Sequence, residues 1–102
     1  MDRITIDFER ALRKANELDD HADRLRRMTC GQYETVLQSL SNDCSSDSAT
    51  AFFSKGDRLR RDMEETARNI EIVANNLRRA ARRIYEAERR AEELARQREH
   101  RR

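Results

Sequence analysis

Few residues in this chain have the types and spacing that chemistry requires. His21, His100, Cys30 and Cys44 are its only imidazoles and thiols. His100 lies in an arginine-rich tail, and no spacing among the four matches a structural zinc pattern, so no metal site is expected. On a helix, Cys30 and the connection that holds Cys44 are separated by ~15 Å of rise, beyond disulfide reach. They read as isolated thiols of a reducing cytosol. A glycine-rich phosphate loop is absent, no cofactor is implied, and long helices leave few places for a preorganised pocket. The sequence therefore predicts a protein that is not an enzyme.

Arginine is the one chemically forward residue type. Arg78-Arg79, Arg82-Arg83 and Arg89-Arg90 are pairs that could neutralise phosphates and release counterions. Glutamates interrupt the later part of this series, and Glu86 with Arg90 and Glu92 with Arg96 have the i,i+4 order that supports an exposed helix. Tyr85 is the only aromatic there, so no base-stacking platform is present. A solvated or partner-facing charged surface is favoured over nucleic-acid binding. The overall charge of +2 hides an asymmetry: residues 1–51 carry 7 basic and 10 acidic side chains, whereas residues 52–102 carry 15 and 10. Opposed halves suit antiparallel or head-to-tail docking, and equally an acidic partner.

The elements that must position these residues are helices. Of 102 residues, 41% are charged and 36% hydrophobic, with two glycines and no proline, as in long helices and coiled coils. Asp7 is a plausible N-cap, with Ile6 before it able to staple onto Ala11. Apolar residues then recur at three-and-four spacing from Phe8 through Leu25 and Val36 to Leu40, one face of a first helix over about 7–40. Gly31 is its weak point, where a bend or a break could fall. Ser41 to Asp47 is dense in turn-forming and capping residues, and Ser46 or Asp47 can cap a second helix over about 48–98. Two heptad rows mark that helix. One reads Phe52, Leu59, Thr66, Val73, Ala80, Ala87, Leu94, and the other Gly56, Met63, Ile70, Leu77, Ile84, Ala91. Beside them Ala67, Ala74 and Ala81 would let another helix approach closely.

The expected fold is therefore all-α, a single-domain antiparallel helix-turn-helix hairpin with a longer second helix. From about Ile84 onward that helix should overhang its partner. A hairpin buries only one stripe on each helix, so assembly into a four-helix bundle is expected. Partner-binding positions would be Phe52, Leu59, Met63, Ile70, Val73, Leu77 and Ile84, with Leu25 and Val36 from the first helix. No apolar run approaches the ~20 residues needed to span a bilayer, and the opening residues predict no cleaved secretory signal.

The Ile4-Thr5-Ile6 opening, the helix, the short turn and the longer amphipathic helix resemble the WXG-type small helical hairpins of bacterial type VII secretion. In that family the turn carries Trp-x-Gly, then an alanine three residues on and an aromatic three beyond it. Here Cys44 and Ser46 stand at the first two places, and Ala49 and Phe52 fit the later two. Tyr85 lies where such proteins begin a Tyr-x-x-x-Asp/Glu export signal; Glu88 is one place early and Arg89 occupies the fourth place. The chain is also similar to the accessory proteins that pair with LXG-type toxins.

The resemblance implies a non-enzymatic, partner-binding hairpin, acting as a secreted substrate or as a targeting chaperone for a larger toxin. Its partners would be a second small hairpin in a homo- or heterodimer, or the N-terminal helical domain of a toxin, with the secretion ATPase as a further contact. It would be cytoplasmic before export without a signal peptide. The alternatives are a cytoplasmic structural coiled-coil protein and, further off, a basic nucleic-acid-binding helix.

Overall fold

The computed structural model describes residues 2–43 and 47–101, with side chains described at 2–39 and 50–101. Two helices account for nearly all of them: α1, Arg3–Asp43, and α2, Asp47–His100. The fold is an all-α antiparallel hairpin. Among the described residues no helix is long and apolar enough to cross a membrane.

Helix α1 starts five residues before the position an Asp7 cap predicts, because Asp2 takes that role. Its Oδ1 accepts a hydrogen bond from the Thr5 backbone N–H at 3.0 Å, and its carbonyl accepts one from Ile6 at 3.0 Å. A side-chain oxygen at the N-cap satisfies a backbone donor that the first turn leaves without a partner. Asp7 lies inside the helix and pairs with Arg3 at 3.7 Å. The connection is shorter than the polar run predicts, since Ser41, Asn42 and Asp43 belong to α1. Extending a formed helix adds one hydrogen bond per residue fixed, so poor helix formers can be carried along at its end. Gly31 does not break α1. The hydroxyl of Thr29 donates to the Leu25 carbonyl at 2.7 Å, and that of Thr35 to the Gly31 carbonyl at 2.9 Å.

The chain divides into two compact units, Met1–Leu18 with Ile72–Arg102, and Asp19–Glu71. In the first, Asp2 and Thr5 meet Arg89, Phe8 meets Tyr85 and Asn16 meets Arg78. In the second, Arg26 meets Glu71 and Glu64, Thr29 meets Met63, and Tyr33 meets Arg60 and Gly56. Numbers rise along α1 as they fall along α2 in both, so the helices run antiparallel in each.

Among the described residues alanine makes the buried core: Ala15, Ala74 and Ala81 in the first unit, Ala22 and Ala67 in the second. Among the described residues no larger side chain is fully buried. Small side chains allow close approach of the helix backbones, but each removes little apolar area from water. Larger residues flank them half-buried, among them Leu12 and Leu18 in one unit and Leu25, Met63 and Ile70 in the other.

Candidate functional site

The two heptad rows of α2 have different fates. Met63, Ile70 and Leu77 of the second row lie half-buried beside the alanines, facing α1. The first row is exposed at all seven positions: Phe52, Leu59 and Thr66 in one unit, Val73, Ala80, Ala87 and Leu94 in the other. Leu59 retains 60% of its surface and Val73 55%. The cause is width. With the alanine row included, the apolar stripe on α2 is three rows across, and one neighbouring helix covers about two of them.

In the unit Asp19–Glu71, the exposed Phe52 and Leu59 share an open groove of about 220 Å³ with Met28 and Val36 of α1. Tyr33 and Met63 line its floor. The ring of Tyr33 lies 3.0 Å from where a Cβ on Gly56 would stand, so the glycine makes room for the tyrosine. Arg60 lies over the other part of that ring, 5.9 Å from its centroid, and bonds Asp57 at 3.1 Å. That hydrogen bond, with the nearby Arg61 charge, holds the Asp57 carboxyl below its ordinary range. Deeper in the same unit Arg26 bridges two carboxylates one heptad apart, Glu71 at 2.5 Å and Glu64 at 2.9 Å. The hydrogen bond from Arg26 in turn holds the Glu71 carboxyl below its ordinary range.

In the unit Met1–Leu18 with Ile72–Arg102, the chemistry gathers at the α1 N-terminus. Arg89 grips the Asp2 carboxylate through both terminal nitrogens, at 2.6 and 3.1 Å, and donates to the Thr5 hydroxyl at 2.7 Å. It also pairs with Glu92 at 3.3 Å. The Arg89 hydrogen bonds, followed by the Thr5 N–H, hold the Asp2 carboxyl far below the usual carboxylate range. Tyr85 lies between this arginine and Phe8: the ring centroids of Tyr85 and Phe8 are 4.6 Å apart, and the guanidinium stands 5.3 Å from the Tyr85 centroid.

The overhang predicted from Ile84 is thereby corrected. Because α1 begins at Arg3 and its cap reaches Arg89, Tyr85 and Arg89 are covered, and every described side chain beyond Glu92 is exposed.

Of the positions predicted to bind a partner, Phe52, Leu59, Val73, Ile84 and Val36 are exposed, whereas Leu25 is half-buried against α2 and Met63, Ile70 and Leu77 are half-buried against α1. Cys44 and Ser46 of the turn pattern lie outside the described residues, as does the Ala49 side chain. Tyr85 is half-buried, whereas Glu88 is exposed beside Ile84. His21, His100 and Cys30 are exposed, and among the described residues no cluster of three or more His, Cys, Asp or Glu could hold a metal ion.

Two arrangements escaped the sequence reading. The Asp2–Arg89 clasp had a partial signal in the Asp2-x-x-Thr5 spacing. The Arg26 fork had one in an arginine placed next to the apolar residue Leu25, with two glutamates seven residues apart on α2. Comparison with protein-family models, curated proteins and solved structures gives no match for this chain.

Proposed function

We propose that this protein is a non-enzymatic, partner-binding helical hairpin that works by docking its uncovered α2 row onto another helical element. The observation that carries this reading is the exposure of all seven residues from Phe52 to Leu94 in a row that keeps heptad spacing. Isolated apolar residues on a surface need no explanation. A heptad series of them is the pattern by which one helix seats on another.

The setting we propose is a bacterial type VII secretion system, with the chain a secreted substrate or the targeting chaperone of a larger toxin. Support comes from the similarity of its helix-turn-helix arrangement to the WXG-type hairpins, with Ala49 and Phe52 at the family's spacing. The partner is then another small hairpin or a toxin's N-terminal helical domain, and the secretion ATPase is a transient contact. Glu88, exposed beside Tyr85, is the residue we assign to that contact.

In the native cell, deleting the secretion ATPase should abolish appearance of the protein outside the cell. Glu88→Ala should reduce export while leaving the helical circular dichroism signal unchanged. Undiminished export in the ATPase deletion would overturn the secretion reading.

A further inference from the structure

Within the unit Met1–Leu18 with Ile72–Arg102, residues 72–85 of α2 carry four arginines, Arg78, Arg79, Arg82 and Arg83, and no acidic side chain. No other stretch between two acidic residues is as long, in a chain where 20 of 102 residues are acidic. We infer that the arginines of this stretch form a binding site for an oligophosphate anion, a short chain of linked phosphoryl groups. The site uses none of the residues assigned above to docking or export, and the inference does not depend on that reading.

Asn75, Arg78, Arg79 and Arg82 recur at three-and-four spacing, which sets them on one side of the helix. Together they line an open cavity of about 340 Å³, at the lower end of the ~300–1,000 Å³ range of small-ligand clefts. Neutral amides hold two of the guanidinium groups. Arg78 donates to the side-chain oxygens of Asn75 and Asn16, each at 2.8 Å, and Arg79 donates to that of Asn76. An amide oxygen orients a guanidinium without cancelling its charge. The Arg26 fork and the Arg89 clasp are instead closed by carboxylates. Among the described residues no carboxylate pairs with Arg79 or Arg82.

Like charges three and four residues apart repel along a helix, and here Arg78 lies a turn from Arg82, and Arg79 a turn from both Arg82 and Arg83. An anion with several acceptor oxygens relieves that repulsion and takes charge-assisted, bidentate bonds that suit the guanidinium fork. From Asn75 to Arg82 the helix rises ~10 Å. A single phosphate meets few donors over that span, whereas linked phosphoryl groups meet Arg78, Arg79 and Arg82 together. Nucleic acid fits less well. Tyr85, the one aromatic of the stretch, is packed between Phe8 and Arg89 and offers no face on which a base could stack. Glu86 and Glu88, both exposed, follow directly and would repel a longer phosphate backbone.

The test is isothermal titration calorimetry of the full chain with sodium tripolyphosphate at physiological ionic strength, with orthophosphate and a short single-stranded RNA as comparison probes. Tripolyphosphate should bind saturably, one per chain, and at least roughly tenfold tighter than orthophosphate. Combining Arg79→Gln with Arg82→Gln should weaken it at least roughly tenfold through the loss of charge-assisted hydrogen bonds. Circular dichroism should stay helical in that variant, because both side chains are exposed. Arg58→Gln removes the same charge from an exposed position in the unit Asp19–Glu71, and should leave binding within about two-fold.

A thermal readout separates a site from diffuse attraction. Saturating tripolyphosphate should raise the wild-type Tm by mass action, beyond what sodium chloride does at matched ionic strength, and should not do so in the double glutamine variant. Absence of saturable binding, an equal loss in Arg58→Gln and the double variant, or orthophosphate binding as tight as that of tripolyphosphate would each overturn the proposal. Tighter binding of the RNA than of tripolyphosphate would also overturn it, and would make the stretch a contact for a nucleic-acid backbone. None of these results bears on the export test of the preceding subsection, and failure of that test would leave this site standing.

Discussion

Each helix carries one glycine, and the two differ in what an added methyl group would meet. At Gly31 a Cβ meets nothing within 4 Å, while at Gly56 it stands 3.0 Å from the Tyr33 ring. Alanine is the better helix former because it has less backbone freedom to lose. Gly31→Ala should therefore stabilise the protein by about 0.5–1 kcal/mol, read as a higher midpoint in chemical denaturation. The same change at Gly56 must displace Tyr33 and should gain less, and Gly56→Leu should destabilise.

The carboxylates give a second prediction at this scale. Asp2, Asp57 and Glu71 are each held below their ordinary range by arginine hydrogen bonds. A group whose pKa is lowered on folding contributes stability that is complete above its unfolded value, near 4 for these residues, and fades as pH falls through the folded value. Denaturation midpoints should thus be flat from neutral pH to about 5 and fall below about 4. Arg89→Gln should flatten part of that acid limb, because it removes the group that holds Asp2 ionised. An unchanged acid limb in that variant would contradict the clasp.

At the scale of the helices, the sequence was most readable where the pattern was longest. The heptads of α2 are unbroken from Phe52 to Leu94, so the existence, direction and greater length of that helix were legible. Which row faces α1 was not, since two adjacent rows are comparably apolar. The structure resolves it through the alanines: Ala67, Ala74 and Ala81 permit the closest backbone approach, which turns the Phe52 row outward.

The α1 start was misjudged because two aspartates compete as caps, and the deciding contact with Arg89 is 87 residues away in sequence. Local pattern cannot see such a pair. The alanine seam makes its own prediction. Ala74 is fully enclosed, so Ala74→Leu should force the helices apart at a cost of about 1–3 kcal/mol. Ala80→Leu, on the exposed row, should leave folding of the isolated chain nearly unchanged. Denaturant midpoints of the two variants, measured at low protein concentration, check this difference without interference from association.

For the whole molecule, the question is whether one hairpin can be a complete thermodynamic unit. Among the described residues only alanines are buried, and the large apolar residues Phe52, Leu59, Val73, Ile84 and Leu94 each keep more than half of their surface. Chains near this size are marginal even with an ordinary core. Docking of a partner would couple folding to association, and stability would then depend on the concentration of what docks, by mass action. Tenfold in concentration corresponds to about 1.4 kcal/mol. Divided by the unfolding entropy of two chains of this length, that is roughly 3 °C in Tm. Thermal scans of the wild type over a concentration series therefore separate the partners of the docking reading. A homodimer should shift upward by about that amount per decade of concentration, whereas a chain that awaits a different hairpin should unfold at a low Tm that dilution does not change. A high, concentration-independent Tm for the wild type would mean that the hairpin is a complete unit alone, against the docking reading.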